Sequence, residues 1–213
     1  KQILFKISTM SKSFKKLLIL SFLMTAVMAQ LVVPLSLYSK KYLGFNEKDI
    51  GLLFTINGTI VVFFQYIVGS NIKQEKLTKA IAVSCLLYGF GYLLFGYSTY
   101  YILAVIAIIV VTCGEIILSP SLSAFVTEIS SPSRRGYYIG IHTMVSEFGR
   151  AFGIFVGTFM IDNFSKYFKE IPWYFVFTLS LISFWGFYTF KETKKNKIKT
   201  PSDNIAEGVL KSS

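Results

Sequence analysis

Three ionisable side chains sit inside otherwise apolar runs of this sequence: Glu115, Glu147 and Arg150. If those runs cross a bilayer, each such group costs on the order of 3 kcal/mol to bury, so each needs a reason to be there. Glu115 shares a helical stripe with Thr112, Ser119 and Ser123, which draws one polar line along an apolar cylinder. Desolvation disfavours an ionised carboxylate, so a carboxyl in that place can carry a proton or meet a cation. The plainer reading is a protonated Glu that donates a hydrogen bond between helices. Glu147 and Arg150 are three residues apart, close enough on a helix to neutralise one another, as a functional pair or a structural one. Gln30 and Asn57 fall at comparable depths and complete a candidate polar cavity, although amides are also common interhelical glue.

Other side chains point to packing. Gly149, Gly153 and Gly157 repeat every fourth residue, a small-residue face that lets two helices approach closely. His142, the only histidine, falls near that face, and one His does not make a proton relay. Cys85 and Cys113 lie in apolar runs without metal-ligand spacing, so neither a disulfide framework nor a zinc site is expected. No metal or cofactor is implied. Enzyme signatures such as His-Glu-x-x-His, Gly-x-Ser-x-Gly or a phosphate-cradling loop are missing, so an enzyme is not expected.

The elements that must position these residues are apolar runs long enough to span a bilayer, which takes about 20 residues. They occupy roughly 17–39, 50–70, 79–98, 100–127, 137–162 and 171–190. The expected fold is all-α, a polytopic membrane protein of six transmembrane helices. With 53% hydrophobic and 15% charged residues, the composition lies far from that of soluble domains. The 36 aromatic residues suit helices that face acyl chains and headgroups. A net charge of +11 does not signal nucleic acid, because the basic residues are scattered through short loops and two tails. Sixteen of the 22 lie on the side that holds both termini, which the positive-inside rule makes cytoplasmic. Tyr97, Tyr100, Tyr101, Trp173 and Tyr174 are expected as an aromatic belt at the outer interface. Residues 1–16 read as a cytoplasmic linker, 17–190 as the transmembrane domain and 191–213 as a disordered cytoplasmic tail. The third and sixth helices carry the fewest polar residues and are expected to face lipid.

The halves echo one another. Pro34-Leu35-Ser36-Leu37 late in the first helix matches Pro120-Ser121-Leu122-Ser123 late in the fourth, and a Gly-led helix follows each, with Gly51 in one case and Gly136 and Gly140 in the other. Three intervening helices give the units opposite orientations, a 3+3 inverted repeat of the kind that recurs in transporters.

Together these residues resemble the C-terminal six-helix half of a major facilitator superfamily transporter, close to the bacterial drug:proton antiporter branch. The resemblance runs from Lys12 to Lys195. It rests on Pro34, Gly51-Leu52-Leu53, Asn57-Gly58, Gln65, Gly114-Glu115, Pro120, Pro132, Arg135-Gly136, Gly140 and Gly149-Arg150. The loop Gly69-Ser70-Asn71-Ile72-Lys73 departs from the family pattern by lacking an Asp. The resemblance implies a plasma-membrane secondary active transporter that works by alternating access and exports hydrophobic or amphipathic compounds in exchange for protons. Glu115 would be the protonatable group, tuned or gated by Glu147 and Arg150, with Gln30, Asn57, Thr112 and Ser119 lining the substrate cavity. The implied partners are the bilayer, a small-molecule substrate, protons and a missing N-terminal six-helix half, on the same chain or a second subunit. The start at Lys1 without Met fits a portion of a longer chain. Two alternatives are a metabolite or organic-anion carrier in which Arg150 holds the anion, and a non-transporting membrane subunit.

Overall fold

The computed structural model describes residues 11–73, 76–130 and 134–190. It contains six helices long and apolar enough to cross a membrane: α1 (Lys12–Leu43), α2 (Glu47–Asn71), α3 (Leu77–Gly96), α4 (Tyr101–Ile129), α5 (Arg135–Asn163) and α6 (Ile171–Tyr188). Among the described residues there is no strand. The chain is thus an all-α, multi-pass membrane protein. In lipid every backbone polar group must find a partner within the chain, and a helix achieves this alone.

Local chemistry sets the helix ends. Ser11 caps α1 by accepting from Phe14 N at 3.2 Å. Gly44, with φ of 69°, closes α1 in the left-handed conformation that glycine tolerates. Two residues later a capping box opens α2: Asp49 N donates to Asn46 Oδ1 at 2.9 Å, and Asn46 N donates to Asp49 Oδ2 at 3.2 Å. α1 starts at Lys12, so the residues from Lys12 to Lys16 are helical. Residues 1–10, the read tail 191–213 and Pro132 lie outside the described residues.

The two prolines that suggested a repeat behave differently. Pro34 has no N–H to give Gln30 O and its ring crowds that carbonyl, and α1 changes there from α-helix to a 3₁₀ turn at Ala29–Leu31 before resuming at Val33–Tyr38. Pro120 lies inside an unbroken α4, where Gly69 of α2 packs against its ring.

Packing follows small residues. α5 lies along α1, α2 along α4, and α3 between α4 and α6, with α6 also touching α1. On the α1–α5 seam a Cβ added at Gly149 would lie 2.5 Å from Phe22 O, and one at Gly153 would lie 2.3 Å from Ala26 O. The Gly149–Gly153–Gly157 face therefore is a helix-packing surface. His142 joins the same seam, its Nε2 3.0 Å from Ser21 Oγ.

α3 corrects the expectation of a lipid-facing helix. Gly91 sits on Val111 of α4, Gly89 on Ser180 and Gly96 on Trp173 of α6, and only a narrow strip that includes Val83 and Phe90 is exposed. Hydropathy cannot make this distinction, because an apolar protein neighbour and a lipid tail ask for the same side chains. Trp173 likewise leaves the expected belt. It is 1% exposed, in T-shaped contact with Tyr38 at 5.1 Å and stacked on Tyr92 at 5.7 Å. Tyr38 Oη donates to Gly96 O at 2.8 Å, which ties α1 to α3 beside it. Tyr97, Tyr100 and Tyr174 remain exposed, and the Tyr97 and Tyr174 hydroxyls pair.

The most exposed spans are α2 and α5. In α2 only Ile50 and Leu53 are buried, while Val62, Phe63 and Tyr66 lie open. On α5 Phe148, Phe152 and Phe155 are exposed.

Candidate functional site

Glu115 is the central residue of the 29-residue α4, so its carboxyl lies at the mid-depth of that span. Thr112 is almost one turn away on the same face. Across from them, α2 presents Asn57. The Asn57 amide donates from Nδ2 to Glu115 Oε2 at 2.8 Å and to Thr112 Oγ1 at 3.0 Å. Thr112 Oγ1 in turn donates to Ile108 O at 2.7 Å, which fixes its lone pairs for the amide. Both amide hydrogens are thereby used, and Asn57 is held in one orientation. Among the described residues no Lys or Arg pairs with Glu115. An ionisable side chain at this depth without a counter-charge is costly to bury and marks a candidate functional position. An amide N–H can donate to a carboxylate and to the carbonyl oxygen of a neutral carboxyl alike.

Glu147 and Arg150 meet on α5, where Arg150 Nε donates to Glu147 Oε2 at 3.1 Å. Their side chains are 59% and 46% exposed at the middle of the span, a position that lipid alone would penalise. Both lie off the glycine face that packs on α1.

Gln30 stands apart from this group. It is buried between α1 and α5, and its Nε2 donates to Ala26 O and Gly153 O, both at 2.8 Å. It knits the seam at the 3₁₀ turn. Gln30→Leu is expected to cost about 1 kcal/mol of stability, the usual worth of an interhelical hydrogen bond in lipid. Thermal unfolding of purified protein checks this. Ser119, one turn beyond Glu115, is half-buried, and its carbonyl accepts from Ser123 Oγ at 3.0 Å; its side chain does not join the Asn57 network.

Sequence reasoning missed the back wall. A Cβ at Gly114 would lie 3.0 Å from Tyr88 Cδ2 and 3.1 Å from Ser84 O, so α3 closes directly behind Glu115. The signal was present in the Gly114-Glu115 pair, a residue without a side chain next to the acid.

The sequence profile of the Major Facilitator Superfamily matches residues 17–211. Among curated proteins none matches. The solved structure of the human organic anion transporter MFSD10 (TETRAN) is similar, with a TM-score of 0.69 at 18% identity. The likeness covers 82% of this chain and 40% of the human one, so this chain spans about half the length of that protein.

Proposed function

Because the chain belongs to the Major Facilitator Superfamily, we propose that it forms half of a secondary active transporter that exports hydrophobic or amphipathic compounds in exchange for protons by alternating access. The observation that carries this reading is the Asn57–Glu115 hydrogen bond at mid-depth, on a carboxyl without a basic partner among the described residues. Glu115 is the proton carrier. Asn57, itself oriented by Thr112, holds the carboxyl at the cavity surface, and Ser119 extends the polar stripe toward substrate. Gln30 belongs to the α1–α5 seam. Glu147 and Arg150, paired and exposed at the middle of α5, tune or gate the cavity.

The exposed faces support a second six-helix half across the cavity, on the same chain or another. Cβ atoms added at Gly51 and Gly58 of α2, or at Gly136 and Gly140 of α5, would meet nothing within 4 Å. Packing also supports the 3+3 repeat: α2 lies on α4 while α5 lies on α1, the exchange expected of two three-helix units in opposite orientation. The charge distribution favours a plasma-membrane protein with both termini in the cytoplasm.

Substrate class follows from charge and surroundings. A carboxyl beside the exposed aromatic faces of α2 and α5 suits a lipophilic cation, which gains from both the acid and the ring faces. The human structure is titled an organic anion transporter, which favours a second reading in which Arg150 holds an anion. Arg150 is engaged by Glu147, so that reading requires the pair to part on binding. Competition separates the two in proteoliposomes that hold this chain with its other half. Lipophilic cations are expected to displace a labelled cationic substrate, and organic anions to leave it in place. Displacement by anions alone would transfer the site to Arg150. A stable complex with no flux of either class would make the protein a non-transporting subunit.

Asn57→Ala removes the donor that orients Glu115 without removing the acid. Coupled flux is expected to fall about tenfold, with Asn57→Gln recovering little because the longer amide cannot hold both acceptors. Initial rates of proton-driven uptake check this.

A further inference from the structure

We infer that the cleft between α2 and α3 at the basic end of the bundle is a binding site for an anionic phospholipid of the surrounding bilayer. α2 and α3 both pack on α4 but scarcely on each other, which leaves an open cleft of about 580 Å³ between them. Its floor is apolar, with Ile67 and Val68 from α2, Ala80 and Val83 from α3 and Ile117 from α4. Its rim carries Lys73, Lys76 and Lys79, all exposed and none paired with a carboxylate among the described residues. From Lys73 to Lys79 the sequence holds three lysines and one acid, Glu75.

The geometry matches a two-part ligand. The lysines stand where α2 ends and α3 begins, at the depth of headgroups. The seven helical steps from Lys76 to Val83 carry the apolar floor about 10 Å into the membrane, the reach of the upper part of an acyl chain. Three ammonium groups over such a slot take the phosphate of an anionic lipid, because basic residues at the membrane surface attract anionic headgroups. A soluble anion would use the rim and leave the floor empty; a zwitterionic lipid would use the floor and gain little from the rim. Occupancy would also brace α2, which carries Asn57 and rests chiefly on α4. The site depends on the membrane fold and not on the transport reading.

Native mass spectrometry of the full protein in detergent tests this with phosphatidylglycerol, phosphatidylcholine and inorganic phosphate as probes. Phosphatidylglycerol is expected to bind at least about tenfold more tightly than phosphatidylcholine, and a Lys73→Gln/Lys76→Gln/Lys79→Gln variant to lose that preference. Ala80→Trp, which fills the floor and leaves the lysines, is expected to weaken both lipids by a similar factor. Equal retention of the two lipids by the unaltered protein, or an undiminished preference in the triple variant, would overturn the assignment. Binding of inorganic phosphate with no effect of Ala80→Trp would reduce the site to a surface anion site and overturn it equally.

Discussion

Glu115→Gln is expected to reduce proton-driven flux to the level of membranes without the protein, while downhill exchange of substrate continues. Gln keeps the size of the side chain and an oxygen for Asn57 Nδ2, so the 2.8 Å contact and the α2–α4 packing have what they need. What disappears is the group that can gain and lose a proton at mid-depth. A residue that served only as interhelical glue would tolerate this change, since an amide bridges helices as well as a neutral acid does. The readout is therefore a split: coupled uptake lost, counterflow of labelled substrate retained, insertion unchanged. Coupled transport at the normal rate in the variant would remove Glu115 from the proton path. Parallel loss of both activities in well-inserted protein would make it a substrate ligand instead.

Gly153→Ala is expected to be the most destabilising single methyl in the chain's centre. The new Cβ would lie 2.3 Å from Ala26 O and 2.6 Å from Ala26 Cα, both backbone atoms of α1, so the helices themselves must separate. Overpacking of this kind costs about 2–3 kcal/mol. Separation would also stretch the bond from Gln30 Nε2 to Gly153 O. Gly157→Ala meets the side-chain end of Gln30, which can swing aside, and should cost about 1 kcal/mol, the worth of the hydrogen bond it displaces. Gly140→Ala has open space before it and should change stability by less than about 0.5 kcal/mol. Unfolding temperatures of the three purified variants check the order. A Gly153→Ala protein as stable as Gly140→Ala would mean that the α1–α5 seam is looser than the glycine contacts require.

Much of this was legible in the sequence because lipid imposes a coarse, continuous demand. Six apolar runs became six spans, and polar residues at mid-depth stood out against them. The partnership of Asn57 with Thr112 and Glu115 could be anticipated as a shared depth, but not as a contact, since helical spacing fixes a residue's face and leaves its neighbour open. Gln30 shows the ambiguity: at a similar depth to Asn57 it turned into the glycine seam, because Gly153 and Gly157 leave room there for its amide. α3 was expected to face lipid, and its burial could not be read from hydropathy, because burial against protein and exposure to acyl chains select the same residues; Trp173, expected at the outer interface, packs inward on Tyr38 and Tyr92. The break at Pro34 and the continuity at Pro120 were equally hidden, for both were only a proline late in an apolar run.

The central claim, proton exchange at Glu115, is tested most directly by proton movement itself. Everted vesicles that hold the full transporter are given an acid interior, monitored with a fluorescent pH indicator, and a lipophilic cationic dye is added. The account predicts prompt collapse of the gradient with the dye, and none in vesicles carrying Glu115→Gln. Dye entry into vesicles whose gradient stays intact would contradict it, because substrate would then be moving without the exchange of a proton.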